Sequence, residues 1–230
     1  MEWMFKLEGD IKFLEELSKY FSSSELLIFK EKSNIYYLKS TYFNNLNYEY
    51  EARNKAEHLI TLINGATELI LYRKKPVERM NLAIKINDNG SKSFSYSIPC
   101  TANIIPKMTE STIDERKKLL KEWVIASLKD DKIATLFEFI CSDSYKWYLL
   151  YKRLELIQVD LGGGTKLINK KWVPESEIKL FKHTANCYKA IGIEARHYNS
   201  KKRPSNPMTY PDAKKLIEKI NLKWLEERSK

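Results

Sequence analysis

The sequence predicts an α+β protein in two parts, a mixed sheet-and-helix domain over residues 1–105 and an all-α helical bundle over residues 106–230. Three observations predict it. Short β-rich runs separated by turn residues are confined to the first half, where two helical stripes lie among them. The second half carries one apolar stripe after another at helical spacing, with no strand signal between them. Between the halves, PCTANIIPKMTES at 99–111 has two prolines and no periodicity, which marks a domain boundary.

In the first half, WMFKLEG reads as a strand and DIKFLEELSKYF as a short helix that starts at Asp10 and turns Ile11, Leu14 and Leu17 inward. ELLIFKEKSNIYYLKS is a hairpin around Lys32, Ser33 and Asn34. Ala52, Ala56, Leu59, Ile60 and Ile63 mark a helix that Asn64 and Gly65 are expected to end, because glycine suits a left-handed C-cap. Three strand-like runs follow, TELILYR, MNLAIKIN and SFSYSIP, with Asn89 and Gly90 as the turn between the last two. No catalytic constellation stands out here, and His58 falls on the polar side of its helix.

In the second half, Thr112 and Glu115 have capping-box spacing ahead of a face made by Leu119, Leu120, Trp123, Val124 and Ser127. Residues 133–141 read as a second helix. Ser142, Asp143 and Ser144 then offer an N-cap for YKWYLLYKRLELIQ, apolar on most sides and so the expected centre of the bundle. After a connection at 165–177 comes IKLFKHTANCYKAIGIEARHY at 178–198, with Ile178, Phe181, Ala185, Tyr188, Ile191 and Ala195 on one stripe. A basic loop, NSKKRPSNPM, leads to a last helix capped by Thr209. Pro211 and Asp212 fit its first turn, and Ala213, Leu216, Ile217, Ile220 and Trp224 face inward.

Composition bounds the function. A chain of 230 residues with 43% apolar and 30% charged content can bury a core without staples. Cys100, Cys141 and Cys187 are odd in number and far apart, which predicts packing residues in a reducing cytoplasm and no disulfide framework. No apolar run reaches the roughly 20 residues of a membrane span, and no signal peptide is visible, so no membrane partner is expected. The net charge of +10 is concentrated at one end: residues 170–230 hold 15 Lys and Arg against 7 Asp and Glu, a net of +8, leaving 25 and 23 for the rest. Clustered cations favour RNA or another nucleic acid as partner, through counterion release at phosphates; a solvated lysine-rich face accounts for them equally well.

Three patterns compete for a site. Val159, Asp160, Leu161, Gly162, Gly163, Gly164 and Thr165 resemble the phosphate-binding hairpin of the actin and Hsp70 ATPase family, a resemblance that would imply a nucleotide-binding enzyme. Residues before these glycines read as helix, so a C-cap and turn is the simpler reading. His183 and Cys187 have a spacing that can chelate zinc on a helix, but two ligands are too few, and neither a metal nor a cofactor is expected. Arg196 and His197 are the third. On an unbroken helix Arg196 would fall about 20° from Ala185 on the apolar stripe and would need an acid, for which Glu155 is the first candidate and Asp160 the second. Either Arg196 is a structural arginine, or the pair meets RNA: His197 would move a proton at a 2′-hydroxyl or leaving oxygen, Arg196 would offset phosphate charge with His183 in support, and Lys201, Lys202 and Arg203 would hold the RNA backbone.

A long apolar helix, a polar turn, a helix ending in Arg-His, a basic loop and a last amphipathic helix together resemble the HEPN domains of prokaryotic defence and toxin systems, over about residues 112–230. The resemblance implies an α-helical homodimer, metal-independent endoribonuclease activity at Arg196 and His197, and a protein partner in a defence complex. It equally admits a non-catalytic interaction or scaffold module. The family's interval between arginine and histidine is absent, since Arg196 and His197 are consecutive.

Overall fold

The computed structural model describes residues 2–32, 34–72, 77–96, 113–142, 146–198 and 202–229. The chain divides into two compact units, Met1–Ile125 and Ala126–Lys230, and the division falls inside the helix over Ile113–Ser127. The expected boundary at 99–111, Thr112 of the capping box, Cys100, and Asp143 and Ser144 of the expected N-cap lie outside the described residues.

The first unit runs β1 (Glu2–Gly9), α1 (Ile11–Tyr20), β2 (Leu27–Lys32), β3 (Ile35–Lys39), α2 (Glu49–Leu71), β4 (Val77–Ile86) and β5 (Lys92–Tyr96). Its sheet has the order β2-β3-β1-β4-β5 with every pairing antiparallel. The first six elements form a split βαβ arrangement in which β1 lies between β3 and β4. Alternation along β1 serves two cores. Phe5 meets Phe43 edge-on at 5.4 Å and the Arg53 guanidinium of α2 at 5.9 Å, while Met4 on the opposite face clusters with Tyr37, Leu82 and Ile84.

Local signals explain most of these elements. Asp10 accepts the Phe13 amide at 3.2 Å to cap α1, and Asn34 takes a positive φ of 59° in the β2-β3 turn. Phe13, Leu14 and Leu17 are buried on α1, but Ile11 is exposed in the first turn. α2 departs further from expectation. It does not stop at Asn64 and Gly65 but continues to Leu71, so TELIL at 67–71 is helix and not strand; Tyr72 supplies the left-handed end, and Arg73 lies outside the described residues. Burial of Leu69 and Ile70 overrides the local stop signal. Asn64 is held by tertiary bonds instead: its side-chain amide donates to the Val77 carbonyl at 2.8 Å and its oxygen accepts the Val77 amide at 3.1 Å, fixing the start of β4. Asn64→Ala would leave both buried backbone groups unsatisfied and is expected to destabilise this unit by about 2 kcal/mol, read by urea unfolding.

The helix α3 (Ile113–Ser127) buries Leu120, Trp123, Val124 and Ser127, with Leu119 at its edge. The second unit holds α4 (Asp131–Cys141), α5 (Lys146–Leu161), α6 (Gly164–Asn169), α7 (Glu175–Ala185), α8 (Tyr188–Ile191) and α9 (Tyr210–Arg228). α5 is central, packing against α4, α6, α7 and α9. Phe181 of α7 stacks between Trp147 and Tyr151 of α5 at 6.1 and 6.0 Å, and Tyr210 meets Trp147 edge-on at 5.9 Å. α9 follows its sequence signals, with Thr209 Oγ1 accepting the Asp212 amide and Ala213, Leu216, Ile217, Ile220 and Trp224 buried. Neither Cys141 nor Cys187 is in a disulfide. No helix among the described residues is long and apolar enough to cross a membrane.

Candidate nucleic-acid interface

Residues 178–198 are not one helix. α7 ends at Ala185, Asn186 caps it with its amide still donating to the Lys182 carbonyl at 3.2 Å, Cys187 is extended, and after α8 the chain makes a 3₁₀ turn over Gly192–Glu194. Gly192 has φ 63°, a conformation that glycine adopts without steric cost. The segment folds back so that the Arg196 amide donates to the Ala185 carbonyl at 3.0 Å, satisfying a group the end of α7 would otherwise leave open. Of the expected stripe, Ile178, Phe181 and Ala185 are buried. Tyr188 is exposed, and Ile191 and Ala195 are half-buried.

This reversal brings Arg196 to the side of α5. Its Nη2 donates to Glu155 Oε1 at 2.8 Å, and its guanidinium carbon lies 4.6 Å from the centre of the Tyr151 ring. Arg196 and Glu155 are 31% and 28% exposed, so the arginine is not fully buried; the buried guanidinium is Arg153, which donates to the Phe139 carbonyl at 3.2 Å. Lys152 approaches Glu155 at 3.3 Å, and the Glu194 carboxylate accepts the Trp147 amide at 3.3 Å, tying the fold-back to the start of α5. The carboxylate facing Arg196 is therefore Glu155.

Asp160, the second candidate, serves another arginine. It accepts from Lys132 at 2.6 Å, Trp224 Nε1 at 2.8 Å and Arg228 Nη1 at 2.7 Å, and Arg228 also reaches Asp130 at 2.7 Å. Asp130 caps α4 by accepting the Lys132 and Ile133 amides. This network joins the start of α4 to the ends of α5 and α9. Burial works to raise the pKa of both carboxyls, but the hydrogen bonds and charge of Arg228 on Asp130, and of Lys132, Trp224 and Arg228 on Asp160, outweigh it and hold both below the ordinary value.

His183 does not meet Arg196 or His197 in any contact among the described residues. Its Nε2 lies 2.9 Å from the Lys202 carbonyl, to which the ring donates, and Thr184 Oγ1 accepts the Met208 amide at 3.1 Å. These neighbours on α7 pin the basic loop. Thr184 was not singled out in the sequence, since a buried threonine beside a histidine carries no distinctive spacing. Lys202 and Arg203 are exposed, as is His197, and Lys201 lies outside the described residues. A groove of about 430 Å³ between α7 and the start of α9, lined in part by Glu177, Leu180, Asp212, Lys215 and Lys219, contains none of the expected site residues.

The other two patterns take simpler forms. Gly162 and Gly163, with φ 84° and 124°, end α5 through bonds from their amides to the Val159 and Gln158 carbonyls, and α6 follows at once. A helix thus stands where a phosphate-binding hairpin requires a strand. Cys187 lies beyond α7, off the helical register that zinc chelation with His183 requires, and no group of three or more potential metal ligands occurs among the described residues. No family model matches the chain, and neither a curated protein nor a solved structure matches it.

Proposed function

We propose that the helical unit is a HEPN-like RNA-binding module that holds RNA on its basic surface without cleaving it. The supporting observation is how its charges are spent. In residues 170–230, Glu175, Glu218, Glu226 and Glu227 are paired with lysines, Asp212 takes part in the cap of α9, and Glu194 accepts a backbone amide. Lys171, Lys189, Lys202, Arg203, Lys215 and Lys219 are exposed and in no ion pair among the described residues. Such a surface suits a polyanion, whose phosphates are positioned by cations and not read by them.

The geometry of Arg196 favours binding over cleavage. To stabilise a reacting phosphate, its guanidinium would have to give up both Glu155 and Tyr151. The test is incubation of the purified protein with RNA in excess chelator, alongside His197→Ala. Full-length RNA recovered from complexes of both proteins is the expected result. Shortening by the parent protein and not by His197→Ala would replace this reading with metal-independent cleavage.

A further inference from the structure

We infer that Tyr148, Tyr188 and Tyr198 form a base-stacking surface that selects single-stranded over duplex RNA, an inference that rests on the RNA-binding reading and adds a site to it. Tyr148 on α5 is 42% exposed, Tyr188 on α8 is 43% exposed and Tyr198 is 89% exposed. Isolated exposed aromatics are ordinary, and one alone would carry no meaning. Charged contacts lead from Tyr148 to Arg196, and a ring contact joins Tyr198 to Tyr188. The Lys152 ammonium lies 5.4 Å from the Tyr148 ring centre and 3.3 Å from Glu155, which in turn holds Arg196 at 2.8 Å. Two residues beyond Arg196, Tyr198 meets Tyr188 edge-on at 5.0 Å with planes 65° apart.

The charge along this path is favourable to phosphate. Glu155 faces two cations, Lys152 and Arg196, and Glu194, bound to the Trp147 amide, is the second carboxylate here; with the exposed Lys189 at the aromatic end the path is net positive. In the edge-on pair one ring's edge covers only one face of the other, and the exposed faces that remain are available to a base. Stacking of this kind tolerates any base but requires that the base be unpaired. A duplex, with its bases closed in a stack, would be left with the phosphate contacts alone. Arg196 acquires a positioning role here: its bonds to Ala185 and Glu155 hold the segment that presents Tyr198.

The experiment is a fluorescence anisotropy titration of a labelled short single strand, and of the same sequence as a duplex, with the parent protein, Tyr148→Ala, the double variant Tyr188→Ala/Tyr198→Ala, and Tyr188→Phe/Tyr198→Phe. Because the rings are exposed, the variants should fold, which far-UV circular dichroism checks. The parent is expected to prefer the single strand. The double alanine variant should lose roughly tenfold or more in single-strand affinity, Tyr148→Ala somewhat less, the phenylalanine pair little, and duplex binding should stay unchanged throughout. Unchanged single-strand affinity in the alanine variants, or equal binding of both RNAs by the parent, would overturn the stacking surface while leaving RNA binding in place. Absence of any RNA binding by the parent would overturn both.

Discussion

Asp160→Ala is expected to destabilise the helical unit by about 3 kcal/mol. The carboxylate is 9% exposed and accepts from Lys132, Trp224 and Arg228. Removing it strips the indole N–H of the buried Trp224 of its acceptor and leaves Arg228 with Asp130 alone. Breaking a buried pair costs roughly 3–5 kcal/mol; the lower end applies because Arg228 and Lys132 are 27% and 44% exposed and can return to water. Thermal unfolding should show the loss as a midpoint lowered by about 10 °C or more.

The same network sets an acid limit. Asp130 and Asp160 are held below the ordinary carboxyl value of about 3.9, so the folded unit binds fewer protons than the unfolded chain. Their stabilisation is fully present above about pH 4 and disappears as pH falls through the depressed folded values. Arg228 is shifted upward, so its contribution is present at every pH below its ordinary value and does not shape the acid limb. Urea midpoints measured between neutral pH and pH 3 should fall, and Asp160→Asn, which removes one of the two titrations, should fall less steeply from its lower start.

The second large effect concerns RNA. Lys202→Ala/Arg203→Ala removes two exposed cations from the loop that His183 and Thr184 anchor to α7. If each contacts a phosphate, the pair contributes about 1.4 to the slope of log affinity against log salt for a single strand, at roughly 0.7 per phosphate contact. Affinity at low salt should fall about tenfold, similarly for every RNA sequence, since phosphate contacts carry no base information. Unfolding should be unaffected, because both side chains are exposed.

How far the sequence foretold these features depended on whether the signal was local. α1 and α9 were legible because Asp10 and Thr209 cap them and their buried residues recur at helical spacing. The β2-β3 hairpin and the turn at Gly90 were legible from turn chemistry, and the α+β class follows from these elements. Periodicity misled twice. It carried 178–198 through Asn186 and Gly192, both stop signals, and it could not tell the β-rich run at Leu69 and Ile70 from the end of a buried helix. The partnership of Glu155 with Arg196 could be anticipated because few acids sit on so apolar a helix. Asp160 was foreseen as a counter-ion but given to Arg196, since nothing local joins residue 160 to Lys132, Trp224 or Arg228. The exposure of Tyr188 follows from the break after α7 and was hidden by the apparent stripe.

The central claim is that this basic helical unit binds RNA through phosphate contacts, and its most direct measurement is the affinity of the full chain for a labelled single strand at about 50 and 200 mM salt, in chelator. With about five of the exposed cations engaged, affinity should fall on the order of a hundredfold across that range. Binding that is absent at the lower salt, or that stays constant between the two, would contradict it.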